Sequence, residues 1–213
     1  MKQLNSILIF ILLLASFQSI AKTEKFGTWF ELEFRKDFLK DFAFSITPEF
    51  RFQDQFNLDE YLVQGKLAWR PVNFLTLAGS YRLGTEIKAK GDVNYSRIAL
   101  DATASRKFDR FEASLRTRYT SSNDSQDDEP GRYLRPRVSL EYNIKGNKIT
   151  PFANYELFHN LNSKEIHKSR MDVGFTRNMG KLHRIGLYYR LHDYFTDKQS
   201  IHILGIEYRM RFR

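Results

Sequence analysis

Apolar and polar residues take turns along most of this chain, and the pattern is cleanest between Leu182 and Arg213. There Ile185, Leu187, Tyr189 and Leu191 are interleaved with Arg184, Gly186, Arg190 and His192. After a short polar loop, His202, Leu204, Ile206, Tyr208, Met210 and Phe212 alternate with Ile203, Gly205, Glu207, Arg209 and Arg211. Successive side chains of a strand point to opposite faces, so a period of two gives each strand one greasy and one charged face. In a soluble sandwich the greasy face meets a second sheet. Here nearly every segment repeats the pattern and no helical period offers cover. That leaves lipid as the apolar partner and a closed barrel as the shape.

Eleven such runs follow one another: Thr28 to Lys36, Phe42 to Phe52, Tyr61 to Arg70, Phe74 to Leu83, Tyr95 to Phe108, Phe111 to Tyr119, Tyr133 to Ile144, Ile149 to Phe158, Arg170 to Asn178 and the two arms of the terminal hairpin. A strand of about ten residues, tilted near 40°, covers roughly 25 Å, the height of the apolar band such barrels carry. Tight turns near 71–73, 109–110, 145–148 and 179–181 alternate with longer polar stretches near 53–59, 84–94, 120–132, 159–169 and 193–199, as short periplasmic turns alternate with outer loops. Trp29, Trp69, Phe108, Tyr119, Tyr133 and Phe212 fall near strand ends, where interfacial aromatic girdles sit. Pro48 and Pro136 lie inside runs and each removes a ladder donor, which predicts a bulge, an edge or a shifted boundary. An even strand count is the rule for single-chain bacterial barrels, so Thr28 to Lys36 either has an unseen partner strand or lies outside the wall. The fold class is all-β: an antiparallel, up-and-down transmembrane β-barrel of ten to twelve strands. Its register is strongly fixed, because a one-residue slip of Tyr133 to Ile144 would turn Arg135 and Arg137 toward lipid, at about 2–4 kcal/mol each near the midplane.

The N-terminus sets the compartment. Lys2, the apolar stretch Ile7 to Ala15 and Ser19-Ile20-Ala21 read as a secretory signal peptide over residues 1–21, leaving 22–213 as one barrel domain. There is no Cys, which excludes a disulfide framework, a thiolate metal site and a lipidated cysteine. Lys plus Arg number 34 against 25 Asp plus Glu; without Lys2 the count is 33 against 25, a net of +8. The cations alternate with apolar residues strand by strand instead of forming one stripe, so the charge predicts a barrel lumen and argues against a nucleic-acid partner.

Several blocks carry a likeness: Trp29 with Glu31-Leu32-Glu33-Phe34, Tyr81-Arg82-Leu83, Tyr133-Leu134-Arg135-Pro136-Arg137, Thr150-Pro151-Phe152, Glu156-Leu157-Phe158, Leu187-Tyr188-Tyr189-Arg190-Leu191 and His202 to Tyr208. Together they resemble the secreted bacterial family catalogued as domain of unknown function 2490. The resemblance implies a barrel in the outer membrane of a Gram-negative cell and implies no activity. The expected partners are outer-membrane lipids, lipopolysaccharide and, during biogenesis, the barrel-assembly machinery. Here Phe212 is followed by Arg213, although the aromatic that this machinery reads is normally the last residue.

The candidate chemistry lies on the polar faces. Arg51, Arg82, Arg97, Arg116, Arg135, Arg137, Glu141, Glu156, Arg190, Glu207 and Arg209 are expected to line the lumen, as structural ion pairs or as the wall of a narrow, anion-preferring channel. The alternative is a lipid acyl hydrolase. Ser200 and His202 share the lipid-facing side of one strand, and pairing Leu191 with His202 sets Asp193 opposite Ser200 at the rim, the residue types of a nucleophile, base and orienting acid. No oxyanion donor accompanies them, and the expectation is that the protein is not an enzyme. The acidic loop Ser121 to Glu129 lacks the spacing of a calcium loop and reads as solvated, able at most to bridge divalent ions to lipopolysaccharide phosphates. No cofactor motif and no metal-ligand spacing is recognisable, and none of either is expected.

Overall fold

The computed structural model describes residues 23–53, 56–123, 131–196 and 199–212. The stretch read as a signal peptide, the acidic residues Asp124, Asp127, Asp128 and Glu129, and Arg213 fall outside them. The described chain contains eleven strands and no helix: β1 (Thr23–Phe38), β2 (Phe42–Gln53), β3 (Asn57–Val72), β4 (Leu75–Glu86), β5 (Val93–Phe108), β6 (Phe111–Ser122), β7 (Arg132–Tyr142), β8 (Ile149–Asn160), β9 (Ile166–Met179), β10 (His183–Tyr194) and β11 (Gln199–Phe212). Each pairs antiparallel with its neighbours in sequence, and β1 closes the ring against β11.

That closure corrects the even-count expectation. β1 runs parallel to β11, from Thr23 opposite Gln199 to Lys36 opposite Phe212, so the first run is a wall strand and the total is odd. A parallel pair is slightly weaker per residue than an antiparallel one. The seam is linked from both sides. Inside, the Tyr188 hydroxyl donates to Glu31 Oε1 at 2.7 Å, Arg209 pairs with Glu33, and Arg211 pairs with Asp37. Outside, Phe26 stacks on His202 with ring centres 5.1 Å apart, and Phe34 lies 6.4 Å from Phe212.

The strands reach beyond their expected bounds, to 16 residues in β1, β3 and β5. The β2–β3 connection, expected to span 53–59, shrinks to 54–56. One end of the barrel carries the connections 39–41, 73–74, 109–110, 143–148 and 180–182, and is called the turn end; the other, with 87–92 and 161–165, is the loop end. Pro48 and Pro136 sit within continuous strands. Pairing of β1 with β2 skips from Glu31–Glu49 to Phe34–Ile46, and that of β7 with β8 from Leu134–His159 to Arg137–Glu156; neither changes register across the gap. Each proline costs one ladder locally and leaves the other intact, with Pro48 opposite Val63 and Pro136 opposite Thr117.

The outer surface is an apolar band in which Phe44, Leu67, Leu83, Leu100, Leu115, Val138, Phe175 and Leu204 are exposed. Trp69, Phe108 and Phe212 are exposed at its rims. Trp29 and Tyr133 are not girdle residues: the alternation that turns Phe30 and Leu134 outward turns them into the lumen, where Trp29 is buried. At the turn end Leu39 has φ of 52° and is largely exposed. The left-handed region costs an L residue about 1–2 kcal/mol, and asparagine tolerates it best after glycine. Leu39→Asn is therefore expected to raise barrel stability by about 1 kcal/mol, read as a higher urea midpoint in phosphatidylcholine vesicles.

Candidate functional site

The lumen is built by the inward phase of each strand. Arg51, Arg82, Arg97, Arg116, Arg135, Arg137, Glu141, Glu156, Arg190, Glu207 and Arg209 all project inward. They lie at different heights. Arg51, Arg82, Arg97, Arg116, Arg135, Arg137 and Arg190 line a cavity of about 390 Å³ toward the loop end. Arg82, Arg116, Glu207 and Arg209 line a second, of about 260 Å³, toward the turn end. Glu141 sits lower, 3.8 Å from Arg184. Glu156 is buried beneath the first cavity at 1% exposure.

The two cavities meet at a waist formed by Glu31, Glu49, Gln64, Arg82 and Arg116, which line both. Side-chain contacts along β2 to β4 build one side of it. Arg82 Nη2 donates to Gln64 Oε1 at 3.1 Å and stands 3.9 Å from Glu49 Oε2. Arg51 donates from Nε to Glu49 Oε1 at 2.6 Å and from Nη1 to Glu60. Above the waist, the Trp29 ring is met by Arg51 at 3.9 Å and Arg190 at 4.8 Å, with the His192 ring edge-on at 5.6 Å.

Charge is divided across the lumen. The acids lining the larger cavity, Glu31, Glu49, Asp59, Glu60 and Glu86, all come from β1 to β4, with Arg51 and Arg82 among them. The facing wall, β6 to β10, contributes Arg116, Arg118, Arg135, Arg137, Lys168, Arg170 and Arg190. Two of these have an aspartate in two-pronged geometry. Arg118 forms a two-pronged pair with Asp101 (2.5 and 2.7 Å), and Arg190 one with Asp172 (2.7 and 3.2 Å). Glu156 serves three others: Arg116 at 2.6 Å, Arg135 at 3.1 Å and Arg170 at 3.6 Å. Arg137 contacts Ser139 Oγ at 3.2 Å and has no ion pair among the described residues.

Two tyrosines brace the wall in the same way. Tyr188 of β10 lies over Gly205 of β11 and reaches Glu31 of β1; Tyr95 of β5 lies over Gly84 of β4 and reaches Glu60 of β3. In both places a Cβ on the glycine would fall inside the ring. An aromatic covering a strand glycine is a known stabilising device of sheets. Trp29, Tyr95, Phe158 and Tyr188 are thus lumen residues that the sequence reading left out of its candidate set. For three of them the signal was available, since Tyr95, Phe158 and Tyr188 share phase with Arg97, Glu156 and Arg190 on their own strands.

On the lipid-facing side, Leu191 lies opposite His202 and Asp193 opposite Ser200, the register read from the alternation. Ser200 Oγ donates directly to Asp193 Oδ1 at 3.3 Å. His202 Nδ1 is 2.5 Å from the Tyr189 hydroxyl, and its Nε2 is buried without a hydrogen-bond partner among the described residues. In a hydrolase relay the imidazole stands between hydroxyl and carboxylate. Here the carboxylate takes the hydroxyl directly and Tyr189 holds the imidazole.

A closed transmembrane β-barrel whose lumen is largely filled by ion-paired side chains is the class of protein these features define. The chain belongs to the family described as protein of unknown function (DUF2490), whose model matches residues 26–200. No curated protein is significantly similar to it in sequence. Among solved structures it is similar to the β domain of the Bordetella autotransporter BrkA, with 13% identity over 83% of this chain and 86% of that one, at a TM-score of 0.45.

Proposed function

We propose that the protein is an outer-membrane barrel whose lumen is a narrow, anion-preferring passage, shut at its waist in the conformation described. The apolar outer band supports a bilayer location, and closed barrels with such a band are outer-membrane structures. The observation that carries the anion preference is the β6 to β10 wall, where Arg116, Arg135 and Arg170 share the single carboxylate of Glu156 and Arg137 has none. Eleven strands lie between the eight that side chains just fill and the sixteen or so that leave an open channel. Flow therefore needs only the waist to part.

Arg82 is one of the two arginines there, linked to Gln64 and close to Glu49. The test is single-channel recording of the refolded mature chain in a planar bilayer under a salt gradient. Small openings with an anion-side reversal potential are expected from the wild type, a larger unitary conductance from Arg82→Ala, and a reversal potential shifted toward cations from Arg137→Glu. Silence from both wild type and Arg82→Ala, in protein that is folded by circular dichroism, overturns the passage and leaves a structural barrel.

A further inference from the structure

We propose that the loop-end cavity contains a binding site for a compact dianion of the phosphate class, inorganic phosphate or a phosphate monoester, built on Arg116, Arg135, Arg137 and Arg170. The inference rests on the anion-preferring lumen proposed above and assigns it a site and a ligand class.

The charge count carries the argument. Arg118 and Arg190 are each matched by an aspartate in two-pronged geometry, so they make no further demand. Of the four arginines of the proposed site, three have a single carboxylate, that of Glu156, within ion-pair distance, and Arg137 has none among the described residues. A carboxylate offers about four acceptor positions and so can satisfy several donors, yet it supplies only one negative charge. Buried guanidinium groups need compensation. Arg135 is only 6% exposed, and the Nε atoms of Arg116 and Arg135 have no hydrogen-bond partner among the described residues. A dianion in the cavity supplies what the wall lacks.

The arginines are also held ready. Phe158 projects inward from β8, with the Arg135 guanidinium 4.1 Å from its ring centre, Lys168 Nζ at 4.9 Å and the Arg170 guanidinium at 5.1 Å. Stacking on a fixed ring restricts the guanidinium planes before any ligand arrives, which lowers the ordering cost of binding. Planar forks converging from β6, β7 and β9 suit the several oxygens of a tetrahedral oxyanion better than they suit a monatomic halide. A cavity of about 390 Å³ has room for the anion and a small organic group beside Trp29 and Phe158.

The test is isothermal titration calorimetry of the refolded barrel in zwitterionic micelles, titrated with sodium phosphate and, at matched ionic strength, with sodium chloride. Saturable phosphate binding without saturable chloride binding is expected. Arg137→Gln should weaken it about tenfold or more, as loss of a charge-assisted contact does. Arg106→Gln, on the outward face of β5, should leave it unchanged. If Arg137→Gln does not fold, as judged by heat-modifiable gel mobility, Arg137→Lys keeps the charge, loses the fork and should bind with intermediate strength. Absence of saturable binding, chloride binding of equal strength, or undiminished affinity in the folded Arg137 variant overturns the site. Binding needs no open path. A barrel that binds phosphate but stays silent in bilayers therefore loses the passage alone, and one that conducts without binding loses the site alone.

Discussion

Glu156→Gln is expected to cost the barrel about 3–5 kcal/mol, the penalty for breaking a buried ion pair by removing one partner. The substitution keeps the shape of the side chain and deletes only its charge. Arg116, Arg135 and Arg170, now 2.6 to 3.6 Å from that carboxylate, would then face one another across a neutral amide, with Arg137 close by on β7. An amide offers one acceptor oxygen, and its NH2 group would point donors at guanidinium donors. Glu112→Gln is the internal comparison. Its partner Lys107 is largely exposed at the turn end, 3.4 Å away, and a solvated pair of that kind is worth at most about 1 kcal/mol. Urea midpoints of the two variants in phosphatidylcholine vesicles should differ widely. A double variant, Glu156→Gln with Arg135→Leu, should regain part of the loss by removing one surplus cation. If Glu156→Gln unfolds no more easily than Glu112→Gln, the arginine cluster is already compensated by solvent and the charge argument for the lumen fails.

The faces of these strands were legible in the sequence because a period of two admits no intermediate answer. Once Arg135 and Arg137 are kept from lipid, Val138 and Leu140 must meet it, and the structure exposes both. The same rule decides Trp29. Placed at the girdle for its aromatic character and its position near a run's end, it is turned inward by its phase with Glu31 and Glu33. Alternation reports face and nothing else. It carries no information on height, so it could not divide the inward arginines between two cavities or show that Glu156, and not Glu141, is the carboxylate three arginines share. Pairing between the chain's ends is also invisible locally. β1 has the same alternating pattern whether it meets β11 parallel, meets a missing twelfth strand, or hangs free. The parallel answer depends on contacts such as Tyr188 to Glu31, which are 157 positions apart in sequence.

Those contacts make the second large effect one of shape. Gly205→Ala is expected to destabilise the barrel by about 3 kcal/mol, the upper part of the range for overpacking. The added Cβ would enter the Tyr188 ring, and the ring has little room to move: Tyr188 is 3% exposed, and its Cα and Cβ are seated so close over Gly174 of β9 that a Cβ there would stand 2.7 to 2.8 Å from them. Displacing the ring also withdraws the hydroxyl from Glu31, loosening the inner link across the parallel seam. Gly65→Ala tests whether this is a property of the site or of strand glycines generally. No atom lies within 4 Å of a Cβ built there, so replacing glycine in that strand should be neutral or mildly stabilising. Tyr188→Phe keeps the ring and removes only the hydrogen bond, and should cost about 1 kcal/mol. The decisive variant is the double, Gly205→Ala with Tyr188→Ala. If the glycine exists to seat the ring, the new methyl costs little once the ring is gone, and the double variant is no less stable than Tyr188→Ala alone, a non-additivity of about 2–3 kcal/mol. Additive losses would mean that Gly205 is needed for the backbone path of the seam itself. The two tyrosine braces, at Gly205 and at Gly84, would then owe their likeness to the sheet and not to a shared packing role.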